Sequence, residues 1–256
     1  MLKETVALSL AVLAVSPLWA IHGTIRTELD KKTGDIKWQP RAKKYELSFK
    51  NGKTTMSAEY PLADVVSLDI AKPETFDKAV QLVEKGQGAS AIATLQKIMT
   101  DYRMLVWDKA AGRYLVLAYL ANNQADKALD VCQSVISEDK TAEWSGDLAP
   151  AYWQALLKTG KTEKLENILK KAASSGSRSA AAAAAVMRGD IIMAEGDAPE
   201  VTKRALRDGY LKVALMYTDK DCVRERSEAM MKAAACFDKI GQAARAEKLR
   251  QQARAM

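Results

Sequence analysis

Two pairs of closely spaced carboxylates, Asp219/Asp221 and Glu225/Glu228, are the residues of this sequence that come nearest to acid–base chemistry. General acid–base catalysis needs a carboxylate whose environment shifts its pKa towards the working pH. Both pairs fall in a polar turn and on the predicted exposed face that precedes the last helix pair. Carboxylates in such places are usually solvated or serve as i,i+3 helix partners. We therefore interpret them as surface charges.

The sequence gives even less support to metal binding, to a catalytic triad or to nucleotide binding. The 256 residues include one histidine, His22, which argues against His-based metal sites and against a Ser-His-Asp triad. The sequence has no phosphate-binding loop and no dinucleotide fingerprint. We therefore predict a protein that is not an enzyme and that binds no cofactor and no metal.

The three cysteines, Cys132, Cys222 and Cys236, match no metal-binding spacing, and their odd number leaves at least one without an intramolecular partner. Cys132 and Cys236 fall on apolar helix faces, where a cysteine usually acts as a small buried hydrophobe. Cys222 falls in a predicted loop. Reaction of this thiol, or its pairing with Cys236, stays open at this point.

The first twenty residues have the pattern of an export signal. Lys3 provides a weak basic region, the stretch from Val6 to Val15 is apolar, and Ala20 ends a plausible cleavage region. A membrane span needs about 20 apolar residues, which is more than this run offers. We expect cleavage close to Ala20 and localisation in the periplasm or cell envelope. An uncleaved anchor, the only expected membrane attachment, is the alternative.

Residues 21–72 have the short alternating runs of β-strands. Asn51-Gly52 is a strong hairpin signal, which predicts a type I′ turn. Tyr45, Leu47 and Phe49 alternate with polar residues, as expected of a half-buried strand. We predict a small antiparallel module, SH3-like or Sm-like, that extends to residue 72. Its five strands are predicted at 22–28, 34–38, 43–49, 54–60 and 64–70.

From residue 73 to residue 256 the period is that of helices, with about ten of them joined by short turns. The turn markers are spaced by 37, 37, 36 and 45 residues, and a small or apolar position in each following helix is spaced by 37, 37, 40 and 41. Such a period is typical of stacked helix pairs. The markers are Gly86, Asn123, Gly160, Gly196 and Gly241, and the following positions are Ala91, Ala128, Leu165, Ala205 and Ala246.

This repeat resembles the tetratricopeptide-repeat (TPR) family, whose unit is a helix pair of about 34 residues. The resemblance covers residues 74–254 and is clearest in Tyr114 to Ile136, where Leu115, Tyr119, Asn123 and Ala128 match the family pattern. It implies a mostly α fold, a right-handed α-solenoid of about five TPR-like pairs that follows the β module. The layout also resembles exported bacterial repeat proteins with a small N-terminal β module.

The resemblance implies that the first helix of each pair lines a groove that binds a segment of a partner protein. Arg, Lys and Gln mixed with Leu and Met suit an extended peptide with an acidic side chain or a C-terminal carboxylate as anchor. The implied groove residues are Arg113, Leu117, Leu120, Gln154, Lys158, Asp190, Met193, Met231 and Lys239.

The positive charge is concentrated at the C-terminal end, where residues 200–256 carry 13 basic and eight acidic residues. We interpret this excess as a polar end of the repeat array, or as a surface for an anionic protein or the envelope. Aromatic residues are not interleaved there, so nucleic acid is not an expected partner. The leading hypothesis is a protein-interaction scaffold. The alternative is a structural subunit of an envelope assembly that uses the β module or the outer helix faces.

Overall fold

The computed structural model describes residues 20–256, so the expected signal segment lies outside the described residues except for Ala20. Contacts divide the chain into two units. The first extends to Lys72 and also includes Thr100–Val106, and the second comprises Pro73–Met99 and Trp107–Met256. Among residues 20–256, no helix combines the length and the apolar character that crossing a bilayer requires.

The first unit contains the predicted five-stranded antiparallel sheet. Its spatial order is β4-β3-β2-β1-β5, so β1 pairs with both β2 and β5, and β4 and β5 are edge strands. The last strand of the meander thus returns to pair with the first, as in the predicted SH3-like arrangement. The strands are β1 (Ile21–Thr27), β2 (Lys31–Gln39), β3 (Lys44–Asn51), β4 (Thr54–Pro61) and β5 (Val65–Ile70).

The core of this sheet follows from the alternation in its sequence. Ile36 on β2 and Leu47 on β3 are fully buried. Tyr45 is buried beside Trp38, with the two ring centroids 4.8 Å apart, and its hydroxyl donates a hydrogen bond of 2.9 Å to the carbonyl of Met104. Period-2 burial of this kind holds the register of the strands.

The β3–β4 hairpin lies where it was predicted, but its turn differs from the expected one. Asn51 pairs with Thr54, so Gly52 and Lys53 are the two central residues. Only Gly52 of these two has a positive φ, +63°. A two-residue turn with glycine at its first central position is type II′, not the type I′ that Asn-Gly suggested.

The second unit is helical throughout, which confirms the predicted mostly α fold. The segments α8 and α9 are joined by a π-helical turn, Leu206–Tyr210, and form one continuous helix with it. The helices are α1 (Phe76–Glu84), α2 (Gly88–Asp101), α3 (Trp107–Ala121), α4 (Ala125–Glu138), α5 (Leu148–Lys158), α6 (Thr162–Ser174), α7 (Arg178–Met193), α8 (Pro199–Ala205), α9 (Leu211–Met216), α10 (Val223–Lys239) and α11 (Ala243–Arg254).

These helices stack as TPR-like pairs. The first helices of successive pairs, α1, α3, α5, α7 and α10, contact one another in that order. Each of α5, α7 and α10 also contacts the second helix of the preceding pair, namely α4, α6 and α8. A single pair cannot bury its apolar face, so burial requires this stacking on neighbours.

The turns inside the pairs repeat one hydrogen-bond pattern. Gly160 has a φ of +69°, and the next amide, that of Lys161, donates to the carbonyl of Leu156 at 2.9 Å. The equivalent bond ends the helix that precedes Asn123. The φ of Asn123 is +56°, and the amide of Gln124 is the donor. This left-handed cap satisfies carbonyls that the helix end would otherwise leave open.

The fourth pair departs from this regularity, and two glycines explain how it packs. A Cβ on Gly209, in the π-helical turn, would lie 2.6 Å from the Cα of Gly189 on α7. A Cβ on Gly189 would lie 2.5 Å from a ring carbon of Tyr210. The α7 helix and the π-helical turn therefore approach so closely that neither position accommodates a side chain.

Candidate functional site

Side chains from four successive first helices line one narrow concavity of about 20 Å³, which we call the polar concavity. It brings together three of the predicted groove residues, Arg113 on α3, Gln154 on α5 and Asp190 on α7. The helix α10 completes it with three charged residues. The whole lining is Arg113, Pro150, Trp153, Gln154, Ala183, Val186, Met187, Asp190, Arg224, Glu225 and Glu228.

The floor of the polar concavity is closely packed. Trp153 is fully buried, and its indole N–H donates a hydrogen bond of 2.9 Å to the carbonyl of Glu143. Ala182 and Ala184 on α7 are also fully buried. Small side chains on α7 let neighbouring helices approach closely. A floor of this kind holds the charged side chains above it in fixed positions.

Asp190 is neutralised inside the protein. Its carboxylate accepts hydrogen bonds from the hydroxyl of Tyr210 at 2.7 Å and from the ammonium of Lys232 at 2.6 Å, and Lys232 also pairs with Glu228 at 2.9 Å. Burial raises the pKa of Tyr210, and the negative charge of Asp190 raises it further. Burial alone would lower the pKa of Lys232, but Glu228 and Asp190 outweigh it, and that pKa is raised. Asp190 therefore holds α7, the π-helical turn and α10 together.

Glu225 is a buried carboxylate at the edge of the polar concavity. Its side chain is only 4% exposed. One carboxylate oxygen, Oε1, accepts bonds of 3.1 Å and 2.9 Å from Nε and Nη2 of Arg224, which also contacts Asp147. Within residues 20–256 the other oxygen, Oε2, has no hydrogen-bond partner. A buried charged oxygen without a donor is costly, so this carboxylate depends on its bonds from Arg224.

The burial of Glu225 corrects the sequence-based interpretation, which placed it on an exposed face. Its spacing from buried Ala229 and Ala233 is four and eight residues, so it lies on the inner face of α10. That signal was present in the sequence. It was missed because a charged residue at a helix start is normally assigned to the surface.

The remaining predicted groove residues lie elsewhere. Leu120 is only 5% exposed, so its side chain belongs to the core, and its prediction as a contact residue is corrected. Leu117 is half-buried, and Lys158 is exposed at the end of α5. A residue in the middle of α3 can face either the groove or the neighbouring helix, and the sequence does not distinguish the two.

Three predicted residues lie on the last two pairs. The sulfur of Met193 is 3.9 Å from the thiol of Cys236, so this side chain packs against α10. Met231 is 44% exposed. Lys239 forms an ion pair with Asp197. None of the three is among the described residues that line the polar concavity.

The cysteines of residues 20–256 are three free, buried thiols. Cys222 is fully buried at the end of a 3-10 turn, which corrects its prediction as an accessible loop residue. Burial raises the pKa of each thiol, to about 12 for Cys132. Thiols that stay protonated in this way are poor nucleophiles and poor metal ligands. No group of three or more His, Cys, Asp or Glu in the described part is arranged to hold a metal ion.

Comparison with known proteins gives distant structural likenesses only. No family model and no curated protein matches the sequence. Among solved structures, the chain is similar to a Podosopora anserina putative kinesin light chain with nearly identical TPR-like repeats, at 18% identity and a TM-score of 0.38, over 70% of this chain and 91% of that one. It is also similar to BtubC from P. vanneervenii, at 16% identity and a TM-score of 0.39, over 69% of this chain and 76% of that one.

Proposed function

We propose that this protein is a non-enzymatic scaffold that binds a segment of a partner protein at the polar concavity. The observation that carries the proposal is the convergence of side chains from α3, α5, α7 and α10 on one concavity that includes Arg113 and Gln154. Stacked helix pairs present extended concave surfaces of this kind to their partners. The closely packed floor reduces the ordering cost of binding.

The charges of the concavity refine the kind of segment expected. Arg113 makes no ion pair in the described part of the chain, and its guanidinium lies 5.3 Å from the ring centroid of Tyr114. A carboxylate of the segment, or its C-terminus, would pair with Arg113. The side-chain oxygen of Gln154, which is half-buried on the same lining, would accept a hydrogen bond from a donor of the same segment. The proposed partner segment therefore carries an anionic anchor and a neighbouring N–H or O–H donor.

Capture of the natural partner tests this function. A photo-crosslinking residue at Gln154 should trap a protein segment in the host, and the same residue at Lys170, which is exposed on α6, should not. Arg113→Glu should then reduce capture at least tenfold, because it reverses the charge that meets the anchor. Lys170→Glu is the matched control. Capture that is equal in both variants would contradict the proposal.

Export to the cell envelope is part of the proposal and rests on the sequence of the first twenty residues. We propose cleavage close to Ala20. The intact mass of the protein recovered from the envelope of its host tests this. A mass that begins after Ala20 supports a cleaved signal, and a mass that retains Met1 would support an anchor instead.

One observation favours a second candidate, a structural subunit that assembles through its β module. The edge strand β5 exposes Val66 at 61%, and β4, at the other edge, is exposed over most of its length. An unpaired edge can accept a strand from a neighbour. Val66→Lys should then disrupt the assembly while Arg113→Glu leaves it intact. The reverse result would exclude this role.

A further inference from the structure

A second depression, which we call the basic-rimmed groove, lies between α8–α9 and α11, with the end of α10 as its floor. Its volume is about 670 Å³. Phe237 and Ile240 form the floor, and leucines and a methionine form much of one wall. The whole lining is Lys203, Leu206, Arg207, Leu211, Lys212, Leu215, Met216, Phe237, Ile240, Gln242 and Arg245.

The π-helical turn gives this groove a straight wall. Lys203, Arg207, Leu211 and Leu215 follow one another at intervals of four residues and all line the groove. In a regular α-helix, positions four apart drift around the axis by about 40° per step, since each residue turns about 100°. The wider π turn at Leu206–Tyr210 offsets part of that drift. The row therefore remains on one side of the helix over its whole length.

The apolar part of the wall is unusually open to solvent. Leu215 is 71% exposed and Met216 is 63% exposed, side by side at the end of α9. Single exposed apolar residues are common, but contiguous ones above an apolar floor are typical of interaction sites. Burying two such side chains would stabilise a complex.

The rim of the groove is positively charged on both sides. Lys203, Arg207 and Lys212 come from the α8–α9 wall and Arg245 from α11, and none of the described residues that line the groove is acidic. Lys203 and Arg207 pair with Glu200 and Asp208 at 2.7 Å, but these are exposed pairs.

These rim charges remain available to a ligand. Exposed ion pairs contribute little and exchange readily. Lys212 makes no ion pair among the described residues. The rim can therefore attract carboxylates from both sides.

We propose that the basic-rimmed groove is a second docking site, for an amphipathic helix of a partner protein with carboxylates on both edges of its apolar face. The wall from Lys203 to Met216 is about 20 Å long, which matches three to four helical turns. An apolar helix face would cover Leu215 and Phe237, as in helix-in-groove recognition. Cations spaced along the groove and on both walls match flanking carboxylates better than a single lipid headgroup.

This site goes beyond the proposed function, because it uses a different set of side chains. No residue of the polar concavity lines the basic-rimmed groove. Binding at the two places can therefore be lost separately. Failure of one proposal leaves the other standing.

The test uses a synthetic 18-residue amphipathic helical peptide with leucines on one face and glutamates on both edges, measured by fluorescence anisotropy with the full chain. We expect saturable binding that Leu215→Asp and Lys212→Glu each weaken at least tenfold. Both side chains are exposed, so melting temperatures should not change. Lys248→Glu, an equal charge change on the exposed side of α11, is the matched control and should bind as the original chain does.

Specific outcomes would overturn the proposal. One is the absence of saturable binding, and another is equal affinity in Leu215→Asp and Lys248→Glu. Equal binding of a peptide with lysines in place of glutamates would remove the role of the rim. Two results would assign the groove to another occupant. In the first, the chain binds anionic phosphatidylglycerol vesicles but not the peptide, and Lys212→Glu abolishes that vesicle binding. In the second, the chain self-associates, and Leu215→Asp abolishes the self-association.

Discussion

The polar concavity and the basic-rimmed groove differ in how their charged side chains are paired and in how far they are exposed to solvent. In the concavity Asp190, Glu228 and Lys232 neutralise one another at distances of 2.6–2.9 Å, with side chains that are mostly buried. At the groove the cations stand at the rim and the floor is apolar. Removing a charge from water requires a partner, whereas an exposed charge is stabilised by solvent. Charge is therefore structural around Asp190, whereas Arg113 in the concavity and the cations of the groove rim remain available to ligands.

The two depressions also differ in how they would recognise a partner. The concavity would offer Arg113 and Gln154 as hydrogen-bonding groups on adjacent helix pairs, so it would select by geometry. The groove offers apolar area with a charged border, so it selects by amphipathic pattern and by sign of charge. A single repeat array can thus present two surfaces of different selectivity.

The largest expected effect comes from the close approach of α7 to the π-helical turn, two elements that contribute to the linings of the two depressions. Gly189→Ala places a methyl group 2.5 Å from the ring of Tyr210, which must move or lose its bond to Asp190. We expect a loss of about 2–4 kcal/mol in the free energy of unfolding. Urea denaturation measures it.

Gly112→Ala is the control for this change. Its new methyl group would meet the flexible end of Met99 at 3.4 Å and a methyl carbon of Leu148 at an ordinary 3.7 Å. Alanine also favours a helix over glycine. Equal losses of stability in the two variants would show that the α7 crossing is not as tight as described.

The ion pairs of the two depressions should differ in how much they stabilise the fold, and we expect this effect to be smaller. Asp190→Ala leaves Lys232 and Tyr210 without their shared acceptor, and we expect it to destabilise by about 1–3 kcal/mol. Glu200→Ala removes an exposed partner of Lys203 at the groove rim and should cost at most about 1 kcal/mol. Thermal denaturation of both variants compares them. A larger loss from Glu200→Ala would reverse the comparison.

The smallest effect is a pH dependence that belongs to the concavity. The folded pKa of Lys232 is raised above 10.5, its ordinary value. The stability that it contributes is therefore complete below pH 10.5 and is lost as the pH rises through the folded pKa. The slope for one proton is at most about 1.4 kcal/mol per pH unit.

Lys232→Met isolates this contribution. The buried thiols also lower stability above about pH 9, since their folded pKa values are raised, so the difference between the original chain and the variant is the informative quantity. Denaturation in urea between pH 8 and pH 11.5 should show that difference shrinking. A constant difference would mean that Lys232 does not titrate in this range.

Much of the fold was predictable because its signals are local. Alternation in Tyr45 and Leu47 and the cap residues Asn123 and Gly160 act through neighbours in sequence, and the structure confirms them. The type of the β3–β4 turn was not predictable in the same way. Its central residues depend on which residues of β3 and β4 pair, and that is a property of the sheet.

The candidate sites were predictable only in part. Arg113, Gln154 and Asp190 were placed together by a repeating period, which a sequence displays. Leu120 and Glu225 were misplaced because burial on a helix depends on which neighbouring helix packs against each face. The basic-rimmed groove had no signal of its own beyond a surplus of basic residues.

The sequence by itself determined the elements of this protein, five strands followed by a repeating series of helix pairs, since period, turn residues and caps act over a few residues. Tertiary structure alone decided which charges are neutralised and which remain free. Asp190 and Lys232 are 42 residues apart and meet only because α7 packs against α10. Arg207 and Arg245 face one groove only because α10 holds α8–α9 and α11 at a distance from each other. Electrostatics depends on distance in space, and the fold sets that distance.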